Sequence, residues 1–296
     1  MKVFRKVSAG DMAFDVVNTM LQALIFFIMI YPLYYIVIAS ISEPSEVLTG
    51  HVFLLPKGFQ LDGYKQVFMS PDIVTGYRNS IFYTFLGTII NLFVTLPCAY
   101  SLSRKDLRGR NGFTLFFSFT MFFSGGMVPS YMVVKGLGLL NSFWALLLPA
   151  AMSVWNMIIC RNFFEHNIPL ELLEVSRIDG CMNIRFFIQI VLPLSKALIA
   201  VMTLFYAVGH WNSYFSALLY LTDRAKYPLQ LVLRNTLISN SPMTSNTTLT
   251  DTAAMHRMIE MLKYALVVVS SVPVLILYPF VQKHFVQGVM IGSIKG

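Results

Sequence analysis

LELLEVSRIDGCMNIRFFIQIVLPL, running from Leu170 to Leu194, is a charged, helix-patterned stretch set between long apolar runs, and its reading decides the fold. Pro169 stands where a helix begins, and Leu172, Leu173, Val175, Ser176 and Asp179 recur at helical spacing until Gly180 supplies a stop. A second short helix is expected from Asn183, with Phe186, Phe187, Ile190 and Val191 on one side and Pro193 ending it. Two short helices joined by a glycine make a compact knob. It carries no nucleophile–base pair, no metal-ligand spacing and no phosphate loop, so its chemistry is contact: apolar side chains to fill a groove and charges to orient it. The alternative is a polar loop that only reverses the chain, which needs neither this length nor two helices.

Around the knob the chain is apolar. Of its 296 residues 56% are hydrophobic and only 12% are charged, with a mean hydropathy of +0.66, which places it among integral membrane proteins. The formal charge of +8 would suggest nucleic acid in a soluble protein. Here the basic residues flank apolar runs, where they orient the chain, and no nucleic-acid partner is expected. Cys98, Cys160 and Cys181 form no CxxC and have no histidine at ligand spacing, so neither a disulfide nor a metal site is expected. The N-terminus has Lys2, Arg5 and Lys6, no apolar run until about Thr19 and no small-residue cleavage site after it, which suggests an uncleaved first span.

A bilayer core of roughly 30 Å takes about 20 helical residues to cross. Six apolar runs are long enough to do so, near 19–41, 80–102, 113–134, 143–159, 198–221 and 262–280, giving an all-α membrane protein of six transmembrane helices in one domain, 1–296. Pro32, Pro97, Pro129, Pro149 and Pro273 interrupt them, and Gly125-Gly126 breaks the third, as befits helices that move or line a cavity, although proline is common in membrane helices in any case. The connection holding Arg104, Lys105, Arg108 and Arg110 against Asp106 reads as cytoplasmic, and the one holding only Lys135 as external. With six spans that puts both termini, the segment 162–196 that contains the knob and the tail 283–296 in the cytoplasm. The 42–79 and 222–261 loops then lie outside. The first should be a folded loop resting Phe53-Leu54-Leu55-Pro56 on the membrane surface. The second, rich in Ser, Thr and Asn through 239–252, should be either disordered or a binding element. Its Asn246-Thr247-Thr248 triplet fits a glycosylation acceptor, a pattern that chance also produces.

Glu174, Val175, Ser176, Asp179, Gly180, Ile190, Leu192 and Pro193 resemble, position by position, the cytoplasmic coupling motif of ABC importer permeases: Glu-Ala-Ala, a glycine, then Ile-x-Leu-Pro. Val175 and Ser176 depart from the two alanines. GYRNSIFYTF and PCAYSLSR within 76–104, and FFSGGMVPSYMVVKGLGLLNSFWALLLP from Phe122 to Pro149, resemble the sugar-uptake, maltose-type permeases, in the branch that imports oligosaccharides released from complex polysaccharides. The resemblance implies the type I ABC importer permease fold, one coupling segment docking on an ATP-hydrolysing subunit, and residence in a bacterial inner membrane. It implies a second homologous permease, two ATP-binding subunits and an extracytoplasmic solute-binding protein as partners, and surrounding membrane lipid. ATP and Mg are expected on the partners, with no cofactor on this chain, which has no GxxxxGK[ST] and is not expected to be an enzyme. QKHFVQGVMIGSIKG, 282–296, resembles the tail that slides between the two ATPase subunits, with Gly288 and Gly292 allowing close approach; a frayed amphipathic end is the alternative. The 222–261 loop resembles the one that reaches into the docked binding protein.

GHWNSYF, Gly209 to Phe215, puts hydrogen-bonding and aromatic groups into the fifth run, and Trp211, Asn212 and Tyr214 are candidates to line the translocation path, since aromatic faces and amides suit sugar rings. Helix-to-helix hydrogen bonding and an aromatic belt are the other reading. His210 is expected to be a packed or interfacial histidine and not a proton carrier, and Asn91 and Asn156 to join helices by hydrogen bonds. The rival function is a secondary transporter driven by an ion gradient, which needs carboxylates within the spans; the placement above leaves every Asp and Glu in loops or tails. A membrane-embedded enzyme would need a Ser-His-Asp set or an HExxH, and neither motif is present. Which sugar is carried, uronate or neutral, is not written in the chain.

Overall fold

A computed structural model describes residues 9–239, 262–276 and 279, and every described element is helical. The residues divide into two compact units, 1–69 with 239–270, and 70–238 with 271–296. The expected tail, with Gly288 and Gly292, the basic N-terminus, the Asn246 triplet and most of the Ser/Thr/Asn-rich stretch lie outside the described residues.

In the first unit α1 (Ala9–Ser40) begins ten residues before the first apolar run, with Asp11 in its first turn where the helix dipole favours an acid. The chain then turns back on itself. Tyr31 Oη donates to the Phe53 carbonyl at 3.2 Å and Tyr34 Oη to that of Leu54, so the expected surface patch is fastened to α1. α2 (Pro44–Leu48) and α3 (Asp62–Met69) complete the loop. Val47 and Val52 bury against Ile38 and Ala39, with Tyr35 and Tyr264 packed around them.

The second unit is built on α4 (Pro71–Ser103). It starts nine residues before the second apolar run because Pro71 supplies a preset first-turn φ and Asp72 suits the N-terminus. The loop before it therefore ends near residue 70 and not 79. α5 (Arg110–Phe122) and α6 (Met127–Gly136) meet at 113° across Gly125-Gly126.

The fourth run, expected as one span over 143–159, is two pieces: α7 (Trp144–Leu147) and α8 (Val154–Asn167). Pro149 lacks an N–H to continue the helix, Ser153 caps the restart by accepting from the Asn156 amide, and the freed Ala150 carbonyl takes the Asn91 side-chain amide. α9 (Leu170–Ile178) and α10 (Asn183–Phe186) follow. Pro193 does not end the second knob helix. A π turn, Phe187–Val191, runs into α11 (Leu192–Leu194), the Leu192 amide reaching back to the Phe187 carbonyl, and the axis breaks only at Ser195. Beyond it α12 (Lys196–Trp211) departs at 84°.

The fifth run is also interrupted, at Asn212–Tyr214, before α13 (Phe215–Tyr220), since Asn and Ser favour local backbone hydrogen bonds over helix. A 3-10 turn (Arg224–Lys226) and α14 (Leu229–Ser239) occupy the start of the expected flexible loop. That stretch is docked: Leu229 N–H donates to Ser80 Oγ at 2.8 Å, Asn79 Nδ2 to the Ala225 carbonyl at 2.8 Å, and Tyr83 Oη to the Lys226 carbonyl at 2.8 Å. α15 (Leu262–Ile276) is apolar. Among the described residues two helices, Gly10–Ser40 and Pro71–Ser103, are long and apolar enough to cross a membrane, or up to four if each bent pair counts as one span.

Candidate functional site

The knob starts from its base. α4, α8 and α12 share a core in which Tyr100, Phe164, Phe186 and Val191 are buried, with Leu173, Ile190 and Leu192 packed onto its edge. Tyr100 stacks on Phe187 at 5.0 Å and meets Phe164 edge-on at 6.0 Å. Those contacts hold one side of α9 and of the following helix, which is why hydrophobic residues stand at these motif positions.

Ser176 fills a buried position and donates from Oγ to the Leu173 carbonyl at 2.8 Å. The hydroxyl is thus not left unpaired at a buried position, because it finds a partner inside its own helix. Gly180 has φ +72°, and the turn closes by two hydrogen bonds, Cys181 N–H to Ser176 O at 2.9 Å and Gly180 N–H to Arg177 O at 3.1 Å. That pair of bonds defines the left-handed helix stop for which glycine is the favoured residue. With the chain reversed there, Val175, Ile178, Met182 and Ile184 stand out in solvent, Ile178 being 86% exposed. Four apolar side chains outside the membrane-crossing helices form a patch that needs a partner. Asp179 and Pro193 are exposed as well.

Beside this patch is a charged cluster. Glu174 lines a cavity of about 380 Å³ together with Tyr100, Arg104, Asp106, Glu165 and Arg177. Arg104 grips Asp106 with two hydrogen bonds, and Arg177 shares one of the Asp106 oxygens. Arg104's hydrogen bonds hold the Asp106 carboxyl well below the usual carboxylate range, Arg177 adds to the effect, and Arg104 is itself pushed up by Asp106. Glu165 binds Arg110 at 2.6 Å and Arg161 at 3.1 Å. Burial opposes its charge, but these arginines outweigh it and its carboxyl also lies low.

The three path candidates differ in burial. Trp211 is buried and meets Tyr77 edge-on at 5.5 Å, whereas Asn212 is exposed and Tyr214 exposed beside Phe215. His210 and Asn91 do come together, Nε2 to Oδ1 at 2.6 Å, and Thr95 meets Tyr206 Oη at 2.7 Å one turn on, so α4 and α12 are bridged by polar pairs. Asn156 is buried at the start of α8. Sequence reasoning missed the Arg104–Asp106–Arg177 cluster. Its signal is present as the lone acid among the basic residues of 104–110, but the partner on α9 lies 71 positions away.

Among known proteins, the family described as "Binding-protein-dependent transport system inner membrane component" matches residues 73–291. Protein LplC of Bacillus subtilis (strain 168) is 45% identical over 96% of this chain and 95% of its own. The polygalacturonan/rhamnogalacturonan transport system permease protein YtcP of the same organism is 44% identical over 91% of this chain and 93% of its own. A crystal structure of a bacterial ABC transporter involved in the import of the acidic polysaccharide alginate contains a chain 35% identical, with a TM-score of 0.86 over 94% of this chain and 98% of that one.

Proposed function

The chain belongs to the family of inner-membrane components of binding-protein-dependent transport systems, and from that membership we propose that it is the permease subunit of an ATP-driven importer of oligosaccharides, uronate-containing ones first. As a membrane component of transport it is not a catalytic subunit. Nothing in these likenesses supports the ion-gradient-driven secondary transporter. The acidic-sugar preference draws on the two relatives whose names carry polygalacturonan, rhamnogalacturonan and alginate.

In this reading the chain crosses the membrane six times with both termini inside, at the apolar runs 19–41, 80–102, 113–134, 143–159, 198–221 and 262–280, and the segment 162–196 stays outside the bilayer. It forms half of a pore whose other half is a second, homologous permease. Two ATP-binding subunits dock beneath and an extracytoplasmic solute-binding protein delivers the sugar. The observation that carries the reading is the exposed apolar patch Val175, Ile178, Met182 and Ile184, presented by the Gly180 turn on a segment whose other side is packed into the core. ATP closes its own subunits, Glu174, Asp179 and the patch receive that movement, and the broken helices exchange one cavity opening for the other. Gly288 and Gly292 add a tail contact on the same ATP-binding subunits, while Trp211, Asn212 and Tyr214 border the path.

The test is co-purification. The tagged chain, solubilised in mild detergent, should bring down an ATP-binding subunit and a second permease, and Glu174→Lys with Gly180→Val should lose the ATP-binding subunit alone. Recovery of the same partners after both substitutions would remove the docking role from this segment.

A further inference from the structure

Resting on that assignment of 170–194, we propose that Asp106 is a positioning residue of the knob: clamped by Arg104 and Arg177, it braces the Gly180 joint against the cytoplasmic end of α4. Gly180 is a bend between two short helices, closed only by the backbone bonds Cys181 N–H to Ser176 O and Gly180 N–H to Arg177 O, with no side chain packed against it within 4 Å of where a Cβ would be. Contacts that reach both sides of it add to that local stiffness.

The Arg104–Asp106 pair does so. Arg104 Nε donates to Asp106 Oδ1 at 2.8 Å and Nη2 to Oδ2 at 2.6 Å, a two-point fork that fixes both groups in orientation. On the α9 side, Arg177 Nη2 donates to the same Oδ2 at 2.6 Å. On the α10 side, Arg104 Nη1 donates to Asn183 Oδ1 at 3.1 Å. The same guanidinium reaches Tyr100 Oη at 3.2 Å, four residues back on α4. One acid–base pair thus ties the helix before the joint, the helix after it and the membrane-crossing helix.

The magnitudes favour geometry over stability. The Asp106 and Arg177 side chains are 48% and 52% exposed, and pairs that open to water add little to folding free energy. Losing the pair should leave the chain folded while freeing the joint, so that movement of the knob is absorbed at Gly180 and not passed to α4.

The experiment uses the full transporter with its partner subunits, in a background where Cys98, Cys160 and Cys181 are alanine. Nitroxide labels at Glu171→Cys on α9 and Phe93→Cys on α4, both exposed positions, report the separation of knob and helix by pulsed electron resonance. The unaltered brace should give one narrow distance distribution; Asp106→Asn or Arg177→Gln should broaden it. Both variants should still recover the ATP-binding subunit, and their oligogalacturonate uptake per ATP hydrolysed should fall about fivefold, the low end of coupling between sites. Arg177→Lys, which keeps the charge, should stay near the unaltered ratio, and the double Asp106→Asn/Arg177→Gln should be no worse than either single change. Unchanged distributions, or losses that multiply in the double variant, would overturn the brace. The distance measurement needs no sugar and decides alone, through Arg177 if Asp106→Asn does not assemble. Coupled uptake by Gly180→Val would overturn the docking role instead, which keeps the two failures apart.

Discussion

Gly87 is where α4 makes room for a side chain of α12, and Gly87→Ala should destabilise the protein although alanine is the better helix former. A Cβ at this position would sit 2.5 Å from His210 Nε2 and 2.6 Å from Cε1, far inside an ordinary carbon contact of about 3.5–4.0 Å. The imidazole cannot simply swing away, because its Nε2 bonds Asn91 Oδ1 at 2.6 Å and Asn91 in turn holds the Ala150 carbonyl. Three terms compete. Overpacking costs about 1–3 kcal/mol. The lost hydrogen bond adds about 0.6 kcal/mol, since in a bilayer the unfolded chain also finds partners. Helix propensity returns up to about 1 kcal/mol. The overpacking term wins, leaving a net loss of about 2 kcal/mol, which lowers a thermal midpoint by roughly 4–8 °C in a chain of this size. Heating detergent-solubilised protein and measuring what stays monodisperse by size exclusion reads this directly. His210→Ala removes the obstacle, so Gly87→Ala/His210→Ala should be more stable than the sum of the single losses requires. A midpoint unchanged by Gly87→Ala, or losses that simply add in the double variant, would refute the close approach.

Three further outcomes are expected. At Gly180 the cost is in the backbone alone, about 1–2 kcal/mol for a side chain held in the left-handed region, and more for a β-branched one; Gly180→Val should therefore lose the ATP-binding subunit in co-purification while Gly180→Asn, which tolerates that φ, keeps most of it. Because the Asp106 carboxyl is held low by Arg104, its ion pair is fully present above the ordinary carboxylate value near 4 and is lost only as pH falls through the lowered one. Uptake per ATP hydrolysed should accordingly be flat from about pH 8 to pH 5, and a decline centred in that range would assign the coupling to another group. A membrane-impermeant maleimide should reach a cysteine at Thr222, exposed beside α13, from outside in whole cells. The half-buried Cys181 should react only in inside-out vesicles, and the reverse pattern would invert the orientation drawn from the basic loops.

Much of this was legible in the sequence because it depends on local chemistry. A glycine after a helix-spaced apolar set marks a left-handed stop wherever it occurs, and the Gly180 turn closes at that residue. Long apolar runs, a sparse charge count and the distribution of arginine and lysine likewise announce a membrane chain without any tertiary contact. Local pattern failed where breaks had to be weighed. Pro149 ends a helix but Pro193 does not, because a π turn reroutes the backbone hydrogen bonds around the missing amide. The start of the 222–261 loop looked free, yet it is docked, since its partners Asn79, Ser80 and Tyr83 are more than 140 positions away.

The sequence by itself therefore determined the helical class, the membrane setting and the outline of the knob, all of which follow from residues within a few turns of one another. Only the tertiary structure decided which polar groups meet. Asn91 with His210, and Asp106 with Arg104 and Arg177, are pairs whose value lies in orientation at 2.6–2.8 Å, and such geometry exists only once α4, α9 and α12 have packed.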